Sequence, residues 1–183
     1  MIISFIICIF ILLFYRKQLV ISYKNLNENY SKKNLFLMII ILYGLVRLLI
    51  PTLYFYINNN TLPQMSNTYE MIENFSCYDL IMFSLYSVIC APIAEEFVYR
   101  EIFIKPIPNE DKFSQVCMGI ISITVFTWTH MQIPGDILPY LPITVALIFI
   151  YFYYDRNIVA SILFHSFSNL ISMFAFWHEY LFN

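Results

Sequence analysis

Charged side chains are few in this sequence. Asp, Glu, Lys and Arg make up 12% of its 183 residues, about half the share of an average soluble domain. The net charge is -2, and no basic cluster interleaves with aromatics, which argues against a nucleic-acid partner. Glycine is scarce too, with three residues in the whole chain, so close helix contacts must use Ala, Ser or Thr. The four cysteines, Cys8, Cys77, Cys90 and Cys117, form no CxxC pair. Most lie in apolar runs, where a cysteine acts as a small hydrophobe. There is no HExxH segment, which removes the helix-borne zinc-peptidase motif. Repeats and low-complexity tracts are missing apart from Asn58-Asn59-Asn60. No basic residue precedes the first apolar run and no A-x-A-like site follows it, so that run is expected to be a retained span and not a cleaved signal peptide.

Apolar residues fill the space that charge leaves. They make up 60% of the chain, in six segments at roughly 2–15, 35–57, 79–104, 114–131, 137–154 and 158–177. A spanning helix needs about 20 residues, with a range of about 17–25. The fold class expected is therefore all-α, a multi-pass transmembrane helical bundle of about six spans in the lipid bilayer. Residues 1–75 hold two spans and a basic connection; residues 76–183 hold the rest. Arg16, Lys17, Lys24, Lys32 and Lys33 fall in the first connection, Lys105 and Lys112 in the third, Arg156 in the fifth, and none in the second and fourth. The positive-inside rule then puts the basic connections in the cytoplasm and both termini outside. Glu70, Glu73 and Asp79 on the outer side do not oppose this, because the rule counts Lys and Arg. Frequent Ile, Asn, Lys, Tyr and Phe fit an AT-rich bacterial genome and hence a bacterial cell membrane.

Inside these spans, ionisable groups are costly, at least ~2.5–3.5 kcal/mol each on insertion scales. Arg47 in the second span is compatible with snorkelling or packing, and its sequence assigns it no role. In "APIAEEFVYREIF", residues 91–103, Glu96 and Arg100 are four apart, acid first, the favourable helical ion-pair order. Glu95 is turned by about 100° from Glu96 and has no local cation. A surplus buried acid suits a general base or acid. Downstream, Phe126 and His130 are four apart in one span, and His165 and Asn169 in another. Each pair shares a helix face. Together the three spans offer a carboxylate base, a histidine to orient water and a histidine–asparagine donor pair, the parts needed for amide hydrolysis.

Glu95-Glu96-xxx-Arg100, Phe126-xxx-His130 and His165-xxx-Asn169, in that order, resemble the CPBP family of intramembrane proteases, also called the Abi or CAAX-protease-like family. The resemblance covers roughly residues 76–176. It implies an intramembrane endopeptidase acting on a membrane-associated peptide or protein. Eukaryotic members trim prenylated CAAX proteins; bacterial relatives are linked to peptide-precursor processing and bacteriocin immunity. Carried over, Glu95 activates water with His130, Glu96 and Arg100 form the supporting ion pair, and His165 and Asn169 stabilise the oxyanion. Two departures concern packing: Glu101 stands where many members have glycine, and the fifth span lacks the family's glycines. Family names often say metalloprotease, and Glu95, His130 and His165 are of the types that zinc takes. The missing HExxH and the nearby Arg100 favour a metal-free mechanism with no cofactor, with zinc as the alternative.

Two other functions compete with peptidase: a non-proteolytic membrane immunity or scaffold protein that keeps the motif, and a transporter or proton relay. A transporter predicts internal repeats or spans broken near the midplane, and no clear repeat is present. Depth counting also raises a difficulty. Glu95 lies roughly 15 Å from the cytoplasmic end of its span and His130 roughly 27 Å from the start of its own. Straight spans normal to the membrane would hold the two apart; tilt, a deeper start of the fourth helix or a dipping hairpin would bring them together.

Overall fold

The computed structural model describes residues 2–63, 66 and 75–182; Glu70 and Glu73 lie outside the described residues. Among the described residues, seven helices carry the chain and no strand occurs. We label them α1 (Ile2–Phe14), α2 (Arg16–Asn29), α3 (Lys32–Ile57), α4 (Cys77–Ile102), α5 (Lys112–His130), α6 (Ile137–Tyr153) and α7 (Ile158–Phe182). A short 3₁₀ turn, Pro134–Asp136, leads into α6.

The all-α, multi-pass expectation holds, with a difference in the span count. Four helices are long and apolar enough to cross a membrane: α3, α4, α6 with its leading turn, and α7. The first segment does not make a span by itself. Its 13 residues reach only about 20 Å, and at Tyr15 the chain bends by 74° into α2, where Arg16 and Lys17 begin a polar sequence. If that bent pair counts as one crossing, the number rises to five. The segment expected at 114–131 forms α5, long enough at 19 residues but diluted by polar residues. Of these, Gln115, Ser122 and Thr127 are buried against other helices.

The larger of two hydrophobic clusters ties the N-terminal helices to the rest. Leu26, Ile39, Leu42 and Val46 from the N-terminal helices pack with Phe126, Leu147, Ile150 and Phe164. Packing is thus continuous across the boundary between residues 75 and 76.

The connections sort to two ends. At one end, Ser22 and Asn157 exchange hydrogen bonds of 2.9 and 2.8 Å. Arg156 donates to the carbonyls of Ile104, Lys105 and Ile107 at 2.7–2.9 Å and to the side chain of Asn109. Those bonds hold Arg156 at a φ of 59°, a conformation uncommon for a residue with a side chain. The three basic connections therefore meet at this end. At the other end, buried Asp136 accepts from the backbone N–H groups of Ser66 at 2.7 Å, Gln132 at 2.8 Å and Ile133 at 3.1 Å.

Prolines shape the two helices that flank the site. In α3 the turn Leu45–Leu49 is π-helical, with Ile50 N–H donating to Leu45 O, and Pro51 follows. In α4 the turn Tyr86–Cys90 is π-helical, with Ala91 N–H donating to Tyr86 O, and Pro92 follows. A proline inside a helix removes one donor and crowds the preceding turn; a π turn relieves that strain and is frequent at functional sites. A third π-helical stretch, Phe97–Ile102, carries Arg100.

Candidate active site

Glu96 is the hub of the buried polar set. It is fully buried, as is Arg100, and its Oε2 lies 3.0 Å from Arg100 Nε. Ser161 Oγ donates to the same oxygen. The other oxygen, Oε1, is 3.0 Å from His165 Nδ1. Arg100 also donates to Ser122 Oγ at 2.8 Å and stands 5.9 Å from the Phe126 ring centre, within cation–π range. A paired and hydrogen-bonded charge is the form in which a buried ion is tolerated.

Glu95 faces the other way, into a cavity. Its Oε2 is 3.5 Å from His130 Nε2 and 3.7 Å from His165 Nε2, and it has no hydrogen-bond partner. The tautomers follow from the far side of each ring. His130 Nδ1 lies 2.8 Å from Phe126 O; a carbonyl only accepts, so Nδ1 carries a proton. His165 Nδ1 meets the Glu96 carboxylate, which Arg100 keeps charged, so it too carries a proton. With the other nitrogen so occupied, each ring in its neutral form turns a bare Nε2 toward Glu95. Three acceptors converge, and a proton or a proton-donating molecule must satisfy them. Phe126 fixes the geometry from below: the His130 ring stacks on it at 4.3 Å and 11°, and the His165 ring is 5.7 Å away.

The depth difficulty is resolved by an offset between α4 and α5. Ser122 Oγ donates to Tyr99 O at 3.1 Å and meets Arg100, so residues 99–100 and 122 share one level. That level is roughly 15 Å along α5 from Lys112 but only roughly 7 Å from Lys105. The hairpin after α4 thus projects past the bundle, and α5 starts lower. From the common level, Glu95 is roughly 7 Å and His130 roughly 12 Å toward the same end, a difference that the side chains close.

Asn169 lines the same cavity, and its Nδ2 donates to Ser87 O at 2.8 Å. The π turn explains why that carbonyl is open. Ala91 N–H is taken by Tyr86 O, and the next nitrogen belongs to Pro92, which has no proton. One Asn169 N–H is therefore committed to α4, and the other is left.

The cavity has a volume of about 470 Å³, in the range of ligand sites. Its lining includes Glu95, His130, His165 and Asn169 at one end and Ser66, Asp136 and Pro139 toward the other. It thus runs from Glu95 to the end opposite the basic connections. All six residues singled out by sequence are in or beside it. Three others escaped sequence reading, Ser122, Ser161 and Tyr140, and a fourth, Arg47, was seen in the sequence but given no role. Ser122 and Ser161 were detectable, since each sits four residues before a motif residue on the same face, Phe126 or His165.

A family model described as type II CAAX prenyl endopeptidase, Rce1-like, matches residues 78–171, a little more than half of the chain. The chain belongs to this Rce1-like family. The match takes in α4, α5, α6 and most of α7, and so all six candidate residues, and leaves out α1 to α3. Membership in the Rce1-like family supports an intramembrane endopeptidase of the CAAX type. No curated protein and no solved structure matches the chain.

For a metal, the donor types are suitable: two imidazoles anchored at Nδ1, as metal ligands commonly are, and a carboxylate. The arrangement fits less well. Among the described residues, no three His, Cys, Asp or Glu side chains are grouped so as to hold an ion, and the Arg100 cation stands directly behind Glu96.

Proposed function

We propose that this protein hydrolyses a peptide bond in a membrane-associated peptide or protein, with Glu95 as the base that activates water. The observation that carries the reading is the approach of Glu95 Oε2 to Nε2 of both His130 and His165, at 3.5 and 3.7 Å. A water at that point donates one proton to Glu95 and the other to a bare Nε2, which aims its lone pair away from both and toward a substrate carbonyl. As Glu95 takes a proton, its charge passes to the tetrahedral oxyanion. The remaining N–H of Asn169 is available to that oxyanion, and His165 joins it when Nε2 also carries a proton. Glu96 and Arg100 do not touch the substrate; they hold the His165 ring and its tautomer. No step requires a metal.

Orientation follows from the basic end, which the positive-inside rule assigns to the cytoplasm. The cavity then opens on the opposite face of the membrane. Glu95→Gln tests the chemistry: membranes holding the variant at wild-type level should lose processing of a prenylated CAAX-type peptide by about 10²-fold or more. Full activity of purified protein after chelation, with no metal by elemental analysis, is the second expectation. Retained processing by Glu95→Gln, or stoichiometric zinc lost together with activity, would overturn the mechanism.

A further inference from the structure

Arg47 lies outside the region matched to the Rce1-like family, yet it lines the same cavity as Glu95, His130 and His165. The π turn Leu45–Leu49, imposed by Pro51, carries it. Its surroundings contrast with those of Arg100. Arg100 has Glu96, Ser122 and the Phe126 face. Arg47 has no carboxylate in ion-pair contact among the described residues, and its Nε is sealed from solvent without a hydrogen-bond partner. Of the two acidic groups that line the cavity among the described residues, Asp136 is already bonded to three backbone N–H groups and Glu95 faces His130 and His165. Tyr43 and Tyr140 are the polar groups that interact with the guanidinium electrostatically, and the Tyr140 ring is 5.4 Å from that of His130. Arg47 and the candidate water site thus share one cavity, and Tyr140 lines it with them.

A guanidinium with no carboxylate partner among the described residues, in a membrane-embedded cavity, calls for an anion from the cavity's occupant. Its planar fork matches a carboxylate through two parallel hydrogen bonds. We propose that Arg47 binds the free C-terminal carboxylate of the peptide substrate and so sets how far from the chain end the cut falls. This rests on the peptidase reading. A terminal carboxylate is the one anion that every peptide of this kind carries whatever its sequence.

The test uses purified wild type, Arg47→Lys and Arg47→Met in nanodiscs. The probe is a prenylated peptide ending in a C-a-a-X motif, made as the free acid and as the C-terminal amide. Wild type should prefer the acid in kcat/KM by about 30-fold or more. Arg47→Met should bring that ratio to within about twofold of one, and Arg47→Lys should fall between, as expected when a point charge replaces a fork. A ratio within one preparation is independent of the folded fraction. Equal cleavage of acid and amide by wild type, or an acid preference kept by Arg47→Met, would overturn the proposal. So would a loss on both peptides alike that follows the anionic-lipid content of the nanodisc, which would assign Arg47 to a headgroup. If wild type cleaves neither peptide, the peptidase reading falls and binding decides: acid-selective binding that Arg47→Met abolishes supports the carboxylate site, and equal binding of acid and amide refutes it.

Discussion

Glu96→Met nearly keeps the volume of the buried hub and removes its charge. Arg100 then retains only Ser122 and the Phe126 face in a site with no solvent access. Breaking one side of a buried ion pair costs about 3–5 kcal/mol, and Arg100→Met should cost a similar amount by stranding the carboxylate. The double change Glu96→Met/Arg100→Met removes both charges together. Ser161 and His165 lose an acceptor, and Ser122 loses a donor. At about 1 kcal/mol for each, the double variant should lose roughly 2–3 kcal/mol, less than either single change. The cycle would then show a coupling of roughly 3 kcal/mol or more, far above the ~0.3–0.5 kcal/mol within which independent sites add. Equilibrium unfolding in bicelles, followed by circular dichroism, measures it. Glu95→Gln is the internal control: Glu95 Oε2 has no hydrogen-bond partner, so its replacement should shift stability by less than about 1 kcal/mol. Additive single costs at Glu96 and Arg100 would refute the pairing argument.

Asn169→Leu should destabilise by about 1–3 kcal/mol, because Ser87 O is then left without a donor; Pro92→Ala restores an N–H beside that carbonyl and should reduce the cost, so an Asn169→Leu penalty unchanged by Pro92→Ala would dismiss this account. Cys77 is exposed at the end where the cavity opens. A membrane-impermeant maleimide should label it on intact cells and not in Cys77→Ser, and labelling only after permeabilisation would reverse the orientation. The Tyr30 phenol donates to Asp155, which pushes its pKa up to about 12. The tether therefore contributes fully below the unfolded value of roughly 10 and is lost as pH rises through about 12. Stability of wild type minus Tyr30→Phe should be flat up to that window and fall within it; a difference that changes at neutral pH would count against the bond.

The sequence made the motif residues legible because helical spacing of four is visible without tertiary structure. Glu96 with Arg100, Phe126 with His130 and His165 with Asn169 were each paired within a helix, and each faces the cavity region. What it concealed depends on relations between helices. The lower start of α5 is set by a nine-residue hairpin, 103–111, anchored by Arg156 from another connection, and no local pattern encodes that. The Asn169 contact needs the carbonyl that Pro92 leaves open 77 positions earlier. Arg47 was visible as a charge in a span, but its cavity is assembled from five helices. The first segment misled because its hydrophobicity is that of a span while its length is not.

Each π turn holds one residue more than the α-helix around it needs. The one at Tyr86–Cys90 therefore acts as a rotational offset of about 100° for everything after it in α4. Winding that turn as α-helix at the same chain length would swing the following side chains by that angle, whereas deleting its extra residue would leave them in place. Glu95 and Glu96 are themselves about 100° apart. Which of two neighbouring glutamates faces the cavity, and which is locked to Arg100, is thus decided by how many residues one turn holds several positions upstream. Two chemically identical side chains owe their different surroundings to a count.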